Sequence, residues 1–389
     1  MSLEREEPNY FGAGPALLPT SVLQQAAKDL INFQDQGIGA GEISHRSKAG
    51  ASIIEQTQDQ LKELLDIPDT HEVFFLQGGG TGGFSAIVAN LTAAHVKKTG
   101  KAGTPYYVVD GTWSKKSYEE AERLGYNPKL IINTKDVDGK FGTIPETEKW
   151  TIPEDLNDAS FVYYCDNETV NGVEFRDFPY NKFPGVPIVA DMSSNFLSKK
   201  VDVSKYGVIF AGAQKNVGIA GISIYIINKS LLEQATPDEL KVLGLPVVPI
   251  AFDFPTVVKN NSAYNTIPTF TVHIVNLVLK NLIEHGGLAA QEEVNIKKSD
   301  ALYAVLDKHR EIYNLPVAKN ARSRMNVVFT IKDGSLDSEF LAEAEKHKLA
   351  GLKGHRSVGG MRASLYNAVS LKSTELLCDF VEKFAQEHK

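Results

Sequence analysis

Three short segments carry residue types that could act together chemically. Lys215 sits in Gly212-Ala213-Gln214-Lys215-Asn216, directly after the apolar run Val208–Ala211. Small and apolar surroundings can lower a lysine's pKa and leave its amine nucleophilic. Taken alone, a lysine in such a place is more often an exposed loop residue. Asp191 ends a second apolar run, Ile188–Ala190, ahead of Met192-Ser193-Ser194. An acid there either faces a ligand beyond the carboxyl edge of a sheet or caps the following turn. The third segment is Gln77-Gly78-Gly79-Gly80-Thr81-Gly82-Gly83-Phe84. Its glycines exceed what a tight turn needs. Backbone amides opening a following helix would cradle an anion.

Three readings compete for these residues. Gly78, Gly80 and Gly83 satisfy G-x-G-x-x-G, and Asp110 ends the next apolar run, where an acid could hold a ribose. That pattern suits a nicotinamide-dependent oxidoreductase, but the fingerprint alone is weak and normally opens the first strand of its domain. Pyridoxal phosphate makes fuller use of the set. It needs a lysine for covalent attachment, an acid facing the ring nitrogen and an anion site for its phosphate. Trp113, one of two tryptophans, follows the run Tyr106–Asp110 and could cover one face of the ring. Its bland alternative is ordinary partial burial. A nicotinamide enzyme has no use for Asp191 and Lys215 so arranged. The third reading is an α/β binding protein without catalysis or cofactor.

The elements around these segments alternate. Short runs rich in Val, Ile, Tyr and Phe occur at Val73–Gln77, Tyr106–Asp110, Leu130–Asn133, Phe161–Cys165, Ile188–Asp191, Val208–Ala211 and Ile222–Ile227. Most show little polar alternation, as strands buried on both faces do. Helical stretches are read at 52–65, 85–96 and 114–124, the first with Ile54, Thr57, Leu61, Leu64 and Leu65 on one stripe. The expectation is an α/β, mostly parallel seven-stranded sheet flanked by helices. After about residue 250 the pattern changes. A helix is read at 271–285, strands at 325–331 and 361–366, and a closing helix at 374–386 with Leu377, Phe380, Val381 and Phe384 on one face. This predicts a large cofactor domain over 15–268 and a smaller α+β domain over 269–389, joined by residues 1–14.

Composition sets the outer bounds. The 389 residues hold 41 Lys plus Arg and 48 Asp plus Glu, a formal charge of −7, which argues against a nucleic-acid partner. Hydrophobic residues at 42% supply a sizeable core and exclude disorder as the main state. Two cysteines, Cys165 and Cys378, cannot build a disulfide framework or a Cys-rich zinc site. Cys165 reads as a buried strand residue, and no metal is expected. The N-terminal MSLEREEPNY lacks the basic and apolar regions of a signal peptide, and no apolar run is long enough to span a membrane. A cytoplasmic protein is the expectation.

Several segments together resemble a known family. GAQKN at 212–216, VADMSSN at 189–195, NETVNG at 167–172, EISHR at 42–46 and GHRSVGGMRAS at 354–364 are similar to those of the phosphoserine aminotransferases. These are class V, fold-type-I pyridoxal-phosphate enzymes of serine biosynthesis. The resemblance runs from FGAGPALLP near the N-terminus to the last helix. It implies reversible transamination between O-phospho-L-serine with 2-oxoglutarate and 3-phosphohydroxypyruvate with L-glutamate. It also implies that Lys215 attaches the cofactor and moves the proton, and that Asp191 pairs with the ring nitrogen. Trp113 would stack on the ring and Thr169 would bond its phenolic oxygen. Gly80, Thr81 and Gln214 would bind the phosphate, with Ser193 in the same set. Asn265 and Thr266 match positions that reach the phosphate from the other subunit, so a homodimer with shared sites is implied.

The substrates expected of such an enzyme are all multiply anionic. Each needs one site for its α-carboxylate and one for its distal anion, and a guanidinium binds both oxygens of a carboxylate. Arg362 matches the family's α-carboxylate arginine. His45, Arg46, His355 and Arg356 match its distal pocket, the first two from the partner subunit. A single His-Arg pair would read as a solvated surface; two pairs plus Arg362 point to function. Thr81 stands where some members carry a charged or amide side chain, so its hydroxyl brings no charge to the phosphate. The same cofactor apparatus also serves class V enzymes acting on alanine, serine or glyoxylate. A positive cleft in an acidic protein is therefore expected.

Overall fold

In a computed structural model the described residues are 4–389. Residues 1–3, which begin the N-terminal stretch read above, lie outside them. The central sheet has seven strands, in the spatial order His71–Leu76, Ser223–Asn228, Val208–Gly212, Ile188–Asp191, Ala159–Cys165, Thr104–Val109, Lys129–Asn133. All neighbouring pairs from Val208–Gly212 onward are parallel. Ser223–Asn228 runs antiparallel to both of its neighbours. Residues 213–222 are too few for a helical crossover, so the chain returns beside the strand it has just left.

Helices cover both faces, which explains the missing polar alternation. Every residue of Ala159–Cys165 and Val208–Gly212 is buried. On one face Lys48–Leu65 packs with Thr269–Glu284, presenting Ile53, Ile54, Thr57, Leu61 and Leu65 inward. It starts before the predicted 52–65 because Ser47 caps it, its side chain accepting from Gly50 N. On the other face lies Gly79–Thr99, buried through nearly its whole length from Gly83 to Val96.

The glycine segment differs from the expected loop. The helix begins at Gly79, and Gly82 N donates to Gly78 O at 3.0 Å to close its first turn. Gly78, at φ +115°, makes the sharp strand-to-helix bend. Gly83 has another reason to be glycine: a Cβ there would lie 2.6 Å from the Phe210 ring, so it permits close helix–sheet packing.

A second, three-stranded antiparallel sheet consists of Tyr313–Asn314, Asn326–Ile331 and Met361–Ser364. Its first strand has only two residues, too short to show a period in the sequence. Phe329, Phe340, Leu377, Phe380, Val381 and Phe384 form its core with the closing helix Leu371–Glu387. The N-terminal strand Asn9–Tyr10 pairs with Leu349–Ala350, and Ser364 N donates to Phe11 O. Among the described residues no helix is long and apolar enough to cross a membrane.

Candidate active site

The carboxyl ends of adjacent parallel strands bring the chemistry together. Ile188–Asp191 delivers Asp191, Val208–Gly212 leads into Gln214 and Lys215, Ala159–Cys165 leads to Thr169, and Thr104–Val109 leads to Trp113. Open α/β sheets bind ligands at this edge because the connecting loops diverge there. Gly80, Thr81, Trp113, Thr169, Asp191, Ser193, Gln214 and Lys215 line one pocket of about 230 Å³.

Lys215 Nζ donates to Thr169 Oγ1 at 2.6 Å and lies 5.9 Å from the centre of the Trp113 ring. Asp191 is 4% exposed. Its Oδ1 accepts from Ser193 N at 2.9 Å and its Oδ2 from Tyr163 Oη at 3.3 Å. Burial pushes this carboxyl up, while the Ser193 bonds and the Lys215 charge pull it back down. Ser193 Oγ accepts from Gly212 N at 3.2 Å and so ties the ends of the two strands that carry Asp191 and Lys215.

The pocket fits pyridoxal phosphate on its own geometry. The amides of Gly79, Gly80 and Thr81 lie in the first turn of a helix, where no intrahelical acceptor exists. A Cβ built on Gly79 would meet nothing within 4 Å, and one on Gly80 only the Phe84 ring at 4.0 Å. That leaves room for a phosphate against the backbone. An acid, an amine and a flat indole wall border the same space. The indole Nε1 of Trp113 is buried without a protein partner.

The substrate-side residues divide into two groups. Arg362, on Met361–Ser364, donates from Nη1 to Thr169 O at 3.3 Å and reaches the site from the second sheet. His355 Nδ1 is 2.7 Å from Ser357 Oγ. Burial holds His355 below the usual histidine range, and the charges of Arg362, Arg356 and Lys116 lower it further. Three cations, Arg362, Arg356 and Lys116, therefore lie around the His355 ring. Lys116 Nζ also sits 4.5 Å over the Trp113 ring. None of Arg362, His355, Arg356 and Lys116 lines the pocket itself, and the other group makes no bond to a residue that does, only to the pocket's neighbour Gln77. His45 and Arg46 lie ahead of the helix cap at Ser47, with Arg46 exposed and His45 Nε2 buried without a partner. Asn265 and Thr266 are exposed, and Thr266 O accepts from Gln77 Nε2 at 3.3 Å.

Asp110, the candidate ribose acid, is sealed off. It is 0% exposed and its Oδ1 lies 3.2 Å from Ser114 Oγ. Burial and the nearby Glu168 carboxylate push it well above the usual range. An acid closed off in this way cannot reach a ribose. Glu168 was not singled out from the sequence, although it adjoins Thr169 in NETVNG. It is fully buried and accepts from Trp113 N at 2.9 Å and Ser114 N at 2.7 Å. Cys165 also lines the pocket, but burial and three nearby carboxyls push its thiol up and leave it inert.

Comparison with known proteins agrees with this site. The family model "Aminotransferase class-V" matches residues 9–377. A Saccharomyces cerevisiae phosphoserine aminotransferase is 56% identical over 394 residues, covering 100% of each chain. The solved phosphoserine aminotransferase of Bacillus circulans subsp. alkalophilus superposes with a TM-score of 0.90 at 34% identity, covering 99% of this chain and 100% of that one. A pyridoxal-phosphate-bound phosphoserine aminotransferase of Trichomonas vaginalis matches with a TM-score of 0.86 at 36% identity, over 97% of this chain and 100% of the other. The strand-edge lysine, acid and indole, the anion-binding helix start and these matches have one conclusion: the chain belongs to the class-V aminotransferases, within the phosphoserine aminotransferase family, and is a pyridoxal-phosphate-dependent transaminase.

Proposed function

We propose that the enzyme interconverts O-phospho-L-serine and 2-oxoglutarate with 3-phosphohydroxypyruvate and L-glutamate, in the making of L-serine. The observation that carries this substrate assignment is the convergence of His355, Arg356, Arg362 and Lys116 beside the cofactor pocket. Two guanidiniums, an ammonium and an imidazole in one region suit a ligand with a carboxylate at one end and a second, heavily charged anion at the other. A small neutral side chain, as in alanine or serine, would leave them without a partner.

Within this reading, pyridoxal phosphate supplies an electron sink for the substrate's α-carbon when bound. Gly80, Thr81, Gln214 and Ser193 hold it, and Trp113 covers its ring. Asp191 keeps a negative charge at the ring nitrogen, and Thr169 orients the ring from the side. Lys215 Nζ holds and moves the proton at the reacting carbon. Its bond to Thr169 Oγ1 keeps that amine inside the pocket until substrate arrives. Arg362 binds the α-carboxylate, and His355 and Arg356 bind the distal anion.

A homodimer with shared sites belongs to the same proposal. The exposed Arg46, Asn265 and Thr266 line no part of this chain's own pocket, which supports their donation to a partner's site. So do a division into a large domain over 15–268 and a small one over 269–389, and a cytoplasmic location.

The test is a steady-state assay of phosphoserine against unphosphorylated serine, each with 2-oxoglutarate, on the purified yellow protein. Phosphoserine is expected to win by a large factor in kcat/KM. Equal turnover of serine or alanine would overturn the substrate assignment and leave the transaminase intact.

A further inference from the structure

The segment Asn167–Gly172 touches three separate parts of the site, and only Thr169 has a role in the reading above. Glu168 is 0% exposed, and its carboxylate sits at the start of the helix Thr112–Arg123. It accepts from Trp113 N at 2.9 Å, from Ser114 N at 2.7 Å and from Ser114 Oγ at 2.7 Å. A carboxylate at a helix N-terminus is favoured by the free amides and by the helix dipole. Gly111 makes room for it, since a Cβ there would lie 2.3 Å from the Glu168 carboxyl carbon. Asn171 grips the same helix start. Its Oδ1 accepts from both Thr112 N and Thr112 Oγ1, each at 3.0 Å. Between these two residues, Thr169 Oγ1 accepts from Lys215 Nζ and Thr169 O from Arg362 Nη1.

We infer that Glu168 and Asn171 are positioning residues, which clamp the first turn bearing Trp113 and set the indole against the cofactor ring in register with Lys215 and Arg362. The helix Thr112–Arg123 has no side-chain cap from its own N-cap residue, because that residue is Gly111. The clamp from Asn167–Gly172 stands in for it. Trp113 borders the pocket and packs against the core beneath its helix, with Lys116 Nζ 4.5 Å from its ring, so the placement of its first turn sets how far the indole reaches over the pocket. The first turn and Lys215 are thus both bonded to one segment, and a displacement of that segment moves both.

The inference rests on the reading of Trp113 as the residue that covers the cofactor. The experiment compares the holoenzymes of wild type, Asn171→Ala, Asn171→Asp, Glu168→Gln and Trp113→Ala. The readouts are the visible circular dichroism of bound cofactor, its release rate into excess apo-acceptor, and the melting temperature. Asn171 is only half-buried, so Asn171→Ala is expected to fold. It is expected to weaken the dichroic band and to speed cofactor release about tenfold, matching the loss of two hydrogen bonds. Asn171→Asp keeps the acceptor and is expected to restore both. Glu168→Gln is expected to move the band in the same direction as Asn171→Ala. If Trp113→Ala changes the band and Asn171→Ala does not, the clamp is overturned and the stacking role stands. If Asn171→Asp behaves like Asn171→Ala, the acceptor role is overturned. If Trp113→Ala leaves the band unchanged, the stacking role falls and the clamp falls with it.

Discussion

Lys215 Nζ donates a 2.6 Å hydrogen bond to Thr169 Oγ1, across a separation of 46 residues. The bond joins the loops that follow two strands lying two positions apart in the sheet, with Ile188–Asp191 between them. The acid Asp191 therefore sits between the amine and its partner in the sheet order. This three-strand relationship makes one site of residues remote in the chain.

Lys215→Ala tests the amine directly. Neither the fold nor the Asp191 bonds to Ser193 and Tyr163 involve the lysine side chain. The variant is expected to keep a near-normal melting temperature while losing amino-group transfer by about a thousandfold or more. The measurement is the single-turnover conversion of bound cofactor by glutamate. A normal rate would remove Lys215 from the reaction.

Arg46→Ala separates substrate from cofactor. Arg46 is exposed and lines no part of this chain's pocket, so its loss should leave cofactor affinity alone. Loss of a charge-assisted contact to an anion is expected to raise KM for both phosphoserine and glutamate by about tenfold. Titration of cofactor into the apoenzyme supplies the control. A fall in cofactor affinity instead would assign Arg46 to the phosphate site.

His355 gives a pH signature. In the free site its pKa is held down by burial and by Arg362, Arg356 and Lys116. A lowered pKa means the ring is neutral until the pH drops below the usual histidine range. A bound phosphoryl group offsets the neighbouring cations and raises that pKa. Between the two values the complex carries one more proton than the free site, so binding takes up a proton and strengthens as the pH falls through that window. Calorimetry of phosphoserine binding in buffers of different ionisation enthalpy should show this uptake as the pH falls below the usual histidine range, relative to His355→Asn. Identical proton counts in the two proteins would exclude His355 from the anion pocket.

Lys298 makes a stability prediction away from the chemistry. It is 0% exposed and donates to Leu365 O, Tyr366 O and Val369 O at 3.0, 2.8 and 3.0 Å. Burial pushes this amine down to about 7, yet it meets three carbonyls of the turn that follows the Arg362 strand, where Tyr366 Oη also donates to Ala13 O. Lys298→Met leaves those carbonyls unpaired and is expected to cost on the order of 3 kcal/mol. Denaturant unfolding of the apoenzyme measures it. A change within a few tenths of a kcal/mol would show that water replaces the amine.

The parts legible in the sequence were those with a local cause. Buried parallel strands read as unbroken apolar runs, and the residue that ends such a run lies at the ligand-binding edge whatever its neighbours are. Asp191, Lys215 and Trp113 could be found on that ground. Gly78–Gly83 could too, although the helix starts inside the segment, because a run of glycines shows no period. The face of the closing helix, Leu377 to Phe384, was likewise visible in its spacing.

By itself the sequence determined the strand-and-helix alternation, the residue types at the strand ends and the acidic net charge. These follow from short-range patterns of side-chain chemistry. Only the tertiary structure decided which ends meet: that Thr169 faces Lys215, that Glu168 and Asn171 grip the Trp113 turn, and that Arg362 arrives from the second sheet. It also decided that Asp110 is closed off beside Ser114, although it directly follows a strand whose neighbour in the sheet leads to Thr169. The physical reason is the same in each case. Strand order and burial are set by pairings between distant segments, and the charge or reach of a side chain depends on which of those segments covers it.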